Sequence, residues 1–171
     1  MTNSARGDGP TEATAGGVRD RDTATALAWL PWRLISQGEI SQGLGTFDDE
    51  GTWWDMVTRQ NHPMAAMKAV LAEILEIVPM RFDFVDSIVE GNHVALMVES
   101  HGAVSETAIY NNVYTFVTEL AADRNVIVAV REYVDTLHAS TALMPSVMSA
   151  IAQHGGKSAL MDFFSGSERR Q

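Results

Sequence analysis

Pro79 divides this chain into two kinds of pattern. Before it, in NHPMAAMKAVLAEILEIVP, residues Met64, Met67, Leu71, Ile74, Leu75 and Val78 recur every three or four positions, the spacing of a helix with one apolar face. Asn61 can cap this helix and Pro63 suits its first turn. After Pro79 the period becomes two. MRFDFVDSIV, HVALMVES, IYNNVYTFVTEL and VIVAVREYVD read as strands, separated by the turn Glu90-Gly91-Asn92, the loop HGAVSET and the turn AADRN. No helical stretch interrupts them, so the sheet is rich in antiparallel pairs and the fold class is α+β. One face of the sheet has to pack on the helices. A strongly curved sheet leaves a space between itself and those helices, and such spaces become ligand pockets.

The flanking segments complete the organisation. Residues 1 to 21 are polar and rich in Gly, Thr and Ala, which predicts a disordered leader. A first helix is expected from Asp22 or Thr23, with Leu27, Trp29, Leu30 and Leu34 as its apolar stripe. Pro31 should kink it or end it early. After Gly38 follow a glycine-broken piece, EISQGLGTF, the acidic turn Asp48-Asp49-Glu50-Gly51, and a short strand TWWDM. Beyond the sheet, Met144, Val147, Met148 and Ile151 mark an amphipathic helix over Ala142 to Gln153. Leu160, Met161, Phe163 and Phe164 form an apolar patch that can dock as a further short helix. The expected division is a leader over 1–21, a domain over 22–140 and a helical extension over 141–171.

Composition narrows the function. With 171 residues, 46% of them hydrophobic, the chain can bury one sizeable core. It has no apolar run near the ~18 residues that span a bilayer, and no apolar stretch of a secretory signal at its start. Cysteine is absent, which excludes disulfides and thiolate metal sites and fits the cytoplasm. The formal net charge of −10 argues against nucleic acid as a partner. Gly43 and Gly45 are too isolated for a phosphate-cradling loop, and His62, His93 and His138 lack metal-ligand spacing, so neither cofactor nor metal is expected. Ser100 has no evident base to activate it.

The strand ending in VREYVDTLH poses the chemical question, because buried strands seldom carry charges without a reason. Alternation puts Val126, Val128, Val130, Glu132 and Val134 on one face, with Ile127, Ala129, Arg131, Tyr133 and Asp135 on the other. If the valine face meets a pocket, Glu132 is a lone acid in an apolar wall. Such a group is either a protonated donor, a general acid or base, or half of a buried pair. The competing reading is a structural carboxylate tied to a neighbouring strand.

Taken together and in this order, TWWDM, VALMVESHG, YNNVYTF and VREYVDT resemble the SnoaL-like group of the nuclear-transport-factor-2-like superfamily, between Ala24 and His138. The resemblance implies a cone: a curved mixed sheet wrapped around N-terminal helices, enclosing one apolar pocket. It also implies an apolar small-molecule ligand and a homodimer formed through the open sheet face. Relatives in that superfamily include steroid isomerases, limonene-type epoxide hydrolases and polyketide cyclases. Asp55 falls where the steroid isomerases keep their general base, and Glu132 where the epoxide hydrolases place a catalytic aspartate. Asn112 and Tyr114 match pocket-lining positions, and Val130 shares the Glu132 face. Trp53, Val98 and Ser100 stand where the epoxide hydrolases have a water-holding tyrosine and an Arg-x-Asp pair, so hydrolysis by that mechanism is not expected. The first helix has Trp29 and Trp32 but no tyrosine, a departure from the steroid isomerases. His101 is a weaker candidate, able to titrate near neutrality. The sequence therefore points to acid/base chemistry by Asp55 and Glu132, against a non-catalytic binding protein or an accessory subunit docking through its C-terminal extension.

Overall fold

The computed structural model describes residues 19–106, 108–154 and 158–168, without the side chains of His154, Phe164 and residues 166–168. The expected leader falls mostly on residues 1–18, outside the described residues, as does the side chain of Phe164. The described chain runs α1 (Arg21–Ser36), α2 (Ile40–Leu44), β1 (Phe47–Asp55), β2 (Asn61–Pro63), α3 (Met64–Ile77), β3 (Met80–Glu90), β4 (His93–Ala103), β5 (Ile109–Leu120) and β6 (Ile127–Val134). Then follow α4 (Thr136–His138), a π-helical turn (Ala139–Leu143), α5 (Met144–His154) and α6 (Ala159–Glu168). Among these residues no helix is long and apolar enough to cross a membrane.

The strands form one mixed sheet in the order β2-β1-β6-β5-β4-β3. Only β1 and β6 pair in parallel, and every other neighbour pair is antiparallel. Hairpins β3–β4 and β4–β5 stay in register along their length apart from one shift between Phe84 and Asp86, as the period-two pattern predicts. The expected strand TWWDM is the end of a longer one. Asn61 pairs with Trp54 instead of capping the helix, while Pro63 both pairs with Thr52 and takes the N-cap position of α3.

Helix α1 differs from its expected form in its cap, in its continuation past Pro31 and in its buried face. Asp20 caps it, its carboxylate accepting from Thr23 N at 3.0 Å, and the helix passes through Pro31 to Ser36. The buried face is Ala24, Ala28, Pro31, Trp32 and Ile35 rather than the leucines. Small alanines let the helix approach the sheet closely. Trp32 then anchors the turn after the proline: its ring stacks on Phe116 at 4.1 Å and lies 5.0 Å from Phe82. Burial of so large a ring outweighs the lost backbone bond.

The expected alternation along β6 breaks once. Ala129 pairs with Glu119 and Ile127 with Leu120, so Val128 is an extra residue that flips the parity behind it. Ile127 and Val130 are therefore both buried, and Glu132 and Val134 still face inward. Gly51 on β1 belongs to the same irregularity. A Cβ there would stand 2.4 Å from the Val128 carbonyl oxygen and 3.0 Å from that of Asp48, both rigid backbone. Gly51→Ala is expected to destabilise the fold by about 1–3 kcal/mol. Chemical denaturation reads this, and a midpoint equal to that of the wild type contradicts the bulge account.

Candidate active site

Between α1, α3 and the concave sheet face lies a cavity of about 140 Å³. The π-helical turn and α6 close it, through Ala139, Leu143, Leu160 and Phe163. Glu73 of α3 ties α6 down: its Oε2 accepts from Leu160 N at 2.9 Å and Ser158 Oγ at 3.0 Å. An acid at the start of α6 also suits the helix dipole. Most of the wall is apolar, from Met67, Val70, Leu71 and Ile74 on α3 to Met80 and Phe82 on β3. Four polar side chains reach it: Asp55, Glu132, Tyr110 and Tyr114.

Glu132 and Asp55 sit side by side on the parallel pair β1–β6, with Phe116 the next residue in the row. Glu132 Oε2 accepts from Trp53 Nε1 at 2.9 Å. Glu132 is half-buried, with its carboxyl set deep among protein atoms at the wall of the cavity that it lines. Burial raises its pKa to about 7, the Trp53 hydrogen bond pulls it down, and the Asp55 charge pushes it up again.

Asp55 is held differently. Its Oδ1 accepts from Val57 N and Thr58 N, both at 2.8 Å, and its Oδ2 accepts from the Thr58 hydroxyl. His62 Nε2 lies 2.8 Å from the same Oδ2. Asp55 thus caps the tight β1–β2 turn, in which Arg59 has a φ of 57°. Both carboxylate oxygens are saturated by donors.

The phenols form a third group. Alternation along β5 buries Tyr110, Asn112 and Tyr114 on the inner face. Tyr110 Oη and Tyr114 Oη are 2.8 Å apart, and Asn112 Nδ2 donates to Tyr110 Oη at 2.7 Å and to the Asp135 carbonyl at 3.0 Å. Asn112 Oδ1 accepts from Val113 N, which fixes the amide. Burial, first of all, raises the pKa of both phenols, that of Tyr114 well above its ordinary value. Both remain donors at neutral pH.

Of the residues singled out in the sequence, Asp55, Glu132 and Tyr114 meet at this cavity. Trp53 and Asn112 stand behind the wall and hold Glu132 and Tyr110. Val98, Ser100 and Val130 are buried in the inner sheet face but do not line the cavity. His101 lies on the other side of the sheet, 3.2 Å from Asp83 and beside Asn111. Sequence reasoning missed Tyr110 and His62, and it named Leu160 and Phe163 of α6 only as part of a docking patch. Tyr110 was legible, since it shares parity with Asn112 and Tyr114. His62 left no signal, because nothing local says that β2 folds back onto Asp55. Among the described residues no three His, Cys, Asp or Glu are grouped to hold a metal.

No protein-family model and no curated protein matches the chain. Solved structures do. A Jannaschia protein assigned as a SnoaL-like polyketide cyclase is 18% identical, covering 73% of this chain and 96% of its own, with a TM-score of 0.58. A nuclear-transport-factor-2-like protein from Burkholderia xenovorans is 18% identical over 74% of this chain and 99% of its own, with a TM-score of 0.57. An epoxide hydrolase of the limonene type from M. tuberculosis is 10% identical over 77% and 97%, with a TM-score of 0.58. The fold of this chain is the nuclear-transport-factor-2-like α+β cone, its six-stranded sheet curved and unclosed.

The Glu132 environment makes stability depend on pH. Its folded pKa of about 7 lies above the ordinary 4.5, so the fold favours the protonated acid. The benefit is whole below the unfolded pKa and disappears as pH rises through the folded one, leaving a cost of roughly 3 kcal/mol in the ionised state. Glu132→Gln cannot ionise. It is expected to be more stable than the wild type at about pH 8, with the gap closing at about pH 4. Paired urea titrations at the two pH values check this, and a constant gap contradicts it.

Proposed function

We propose that this protein is a cofactor-independent enzyme that moves a proton on a small apolar carbonyl compound, with Glu132 as acid and base and Tyr114 as the donor to the carbonyl oxygen. The observation that carries the reading is a carboxyl with a pKa of about 7 in an apolar cavity beside a buried phenol. Near neutrality such a group is half ionised, which suits a base that must take a proton and return it. Oε2 is held by Trp53, so Oε1 is the oxygen for the substrate.

In the first step Oε1 takes a proton from the carbon next to the carbonyl. The C–H bond breaks, an O–H bond forms on Glu132, and the electron pair moves onto the carbonyl oxygen. Tyr110 already accepts from Asn112 and can donate onward to Tyr114, which leaves the Tyr114 O–H for that oxygen. In the second step, on a substrate with a carbon–carbon double bond next to that carbon, the Glu132 O–H bond breaks and its proton goes to the far carbon of the double bond. The electron pair on oxygen re-forms the carbonyl, and the product is the isomer with the double bond shifted into conjugation. Asp55, with its oxygens taken by donors, acts through its charge, which keeps Glu132 basic.

The chemistry of the relatives supports the class: one is assigned as a polyketide cyclase and another is an epoxide hydrolase. Leu160 and Phe163 pack over the chain's own cavity, which favours the C-terminal extension as a cover over the accessory-subunit reading. The same proposal includes a homodimer through the open sheet face, where Ile109 and Val113 are exposed.

Deuterium uptake from heavy water by small cyclic ketones, followed by NMR, tests the chemistry without knowing the natural substrate. The wild type is expected to catalyse exchange, at a rate rising with pH up to about 7 as Glu132 ionises. Glu132→Gln should lose about 10²–10⁴-fold and Tyr114→Phe about 10²-fold. Ketones that bind without exchanging would make the protein a binding module instead.

A further inference from the structure

A second hollow, of about 360 Å³, opens on the outside between β2, α3 and α6. Its polar lining is Gln60, Asn61, His62 and Asp162. It shares two residues with the inner cavity, Val70 and Phe163, so these form a common wall. The His62 ring leans on Phe163 with centroids 4.4 Å apart, and the same His62 holds Asp55, which lines the inner side. The wall between the two spaces therefore includes one aromatic ring, one valine and the contact between His62 and Asp55.

The inner cavity is small. A hollow of about 150 Å³ takes a single benzene ring, whereas pockets for larger ligands run to about 300–1,000 Å³. The outer hollow is more than twice the size of the inner one, and together they reach the ordinary range. Phe163 sits on the cover helix, and α3 carries the rest of the wall, so a swing of one side chain joins the two spaces. Phe163 is half-buried, with the outer hollow on one side to receive it.

We propose that the two hollows are halves of one binding site, that Phe163 is the gate between them, and that the ligand is an elongated amphiphile whose apolar ring lies against Glu132 while an uncharged, hydroxyl-bearing end lies in the outer groove. This rests on the proton-transfer reading of the inner cavity. The end is not anionic, because Asp162 lines the groove and the chain carries a net charge of −10. Amide, imidazole and carboxylate groups together offer both donors and acceptors, which suits hydroxyls. Phe163 thereby determines how long a ligand the site accepts.

Two probes separate the halves. The first is para-cresol, which fits the inner cavity alone. The second is the β-glucoside of (para-hydroxyphenyl)ethanol, which carries the same phenol and a hydroxyl-rich end. Calorimetry on the full chain is expected to show the glucoside binding at least ~10-fold tighter than para-cresol. Ala69 is exposed on α3 and lines only the outer groove, so Ala69→Trp fills that groove without touching the inner cavity. It should remove most of the glucoside's advantage and leave para-cresol within about 2-fold of its wild-type affinity. Phe163→Ala should speed glucoside association in stopped flow and leave its affinity at least unchanged. Equal effects of Ala69→Trp on both probes, or no effect on either, would overturn the two-part site while leaving the inner cavity intact. Failure of para-cresol itself to bind counts instead against the inner cavity as a ligand site, and so against both readings.

Discussion

The bond from Trp53 Nε1 to Glu132 Oε2, at 2.9 Å, is the constraint around which this structure is arranged. A carboxyl enclosed by protein is costly unless it is neutral or hydrogen-bonded, and Glu132 has both remedies in part. One indole donor lowers its pKa, though not enough to cancel burial and the adjacent Asp55. The result is an acid poised where neither protonation state dominates. Further donors to Glu132 would favour its anion, and leaving it without Trp53 would push it further toward the neutral form. Asp55, one strand away, is held by backbone amides, a hydroxyl and an imidazole.

Two carboxylates in register on neighbouring strands repel one another, and the fold tolerates the pair because their surroundings differ. Asp55 closes a tight turn at the sheet margin, where amide donors are plentiful. Glu132 lies on β6, which is paired on both sides, so its backbone amides are committed to the sheet. The strand position thus sets the chemistry: a terminal residue is solvated by a turn, and an interior one meets only side chains. The helices contribute by shape. Ala24 and Ala28 bring α1 close, Trp32 fills the centre of the cone, and what stays open is the short space under α3 that the C-terminal helices cover.

Much of this was legible from residue pattern alone, and the reasons for the rest are local. The period-two runs after Pro79 gave four strands in the right order, because hairpin pairing depends on near neighbours. Parity grouped Glu132 with the valine face, and the family resemblance was what implied that Glu132 and Tyr114 line a pocket. Where a bulge intervenes parity fails, and Val128 shows this: the extra residue is imposed by the approach of β1 at Gly51, a contact between residues far apart in sequence. The buried face of α1 was misread for a related reason. Leucines look like the apolar stripe, but close packing on a curved sheet selects the alanine face and Trp32. The Asp55 contact of His62 could not be found at all, and Phe163 could be read only as part of a docking patch, since their places beside Asp55 and the cavity exist only after β2 and α6 have folded back.

The central claim concerns one proton. Carbon-13 NMR of the glutamate carboxyls, with Glu132 assigned by comparison to Glu132→Gln, follows its ionisation directly in the free protein. A midpoint at about 7, rising further in Trp53→Phe as the indole donor is lost, is what the geometry requires. A midpoint at the ordinary 4.5, indifferent to Trp53, would mean that the carboxyl is solvated like any surface acid and that the cavity holds no poised base.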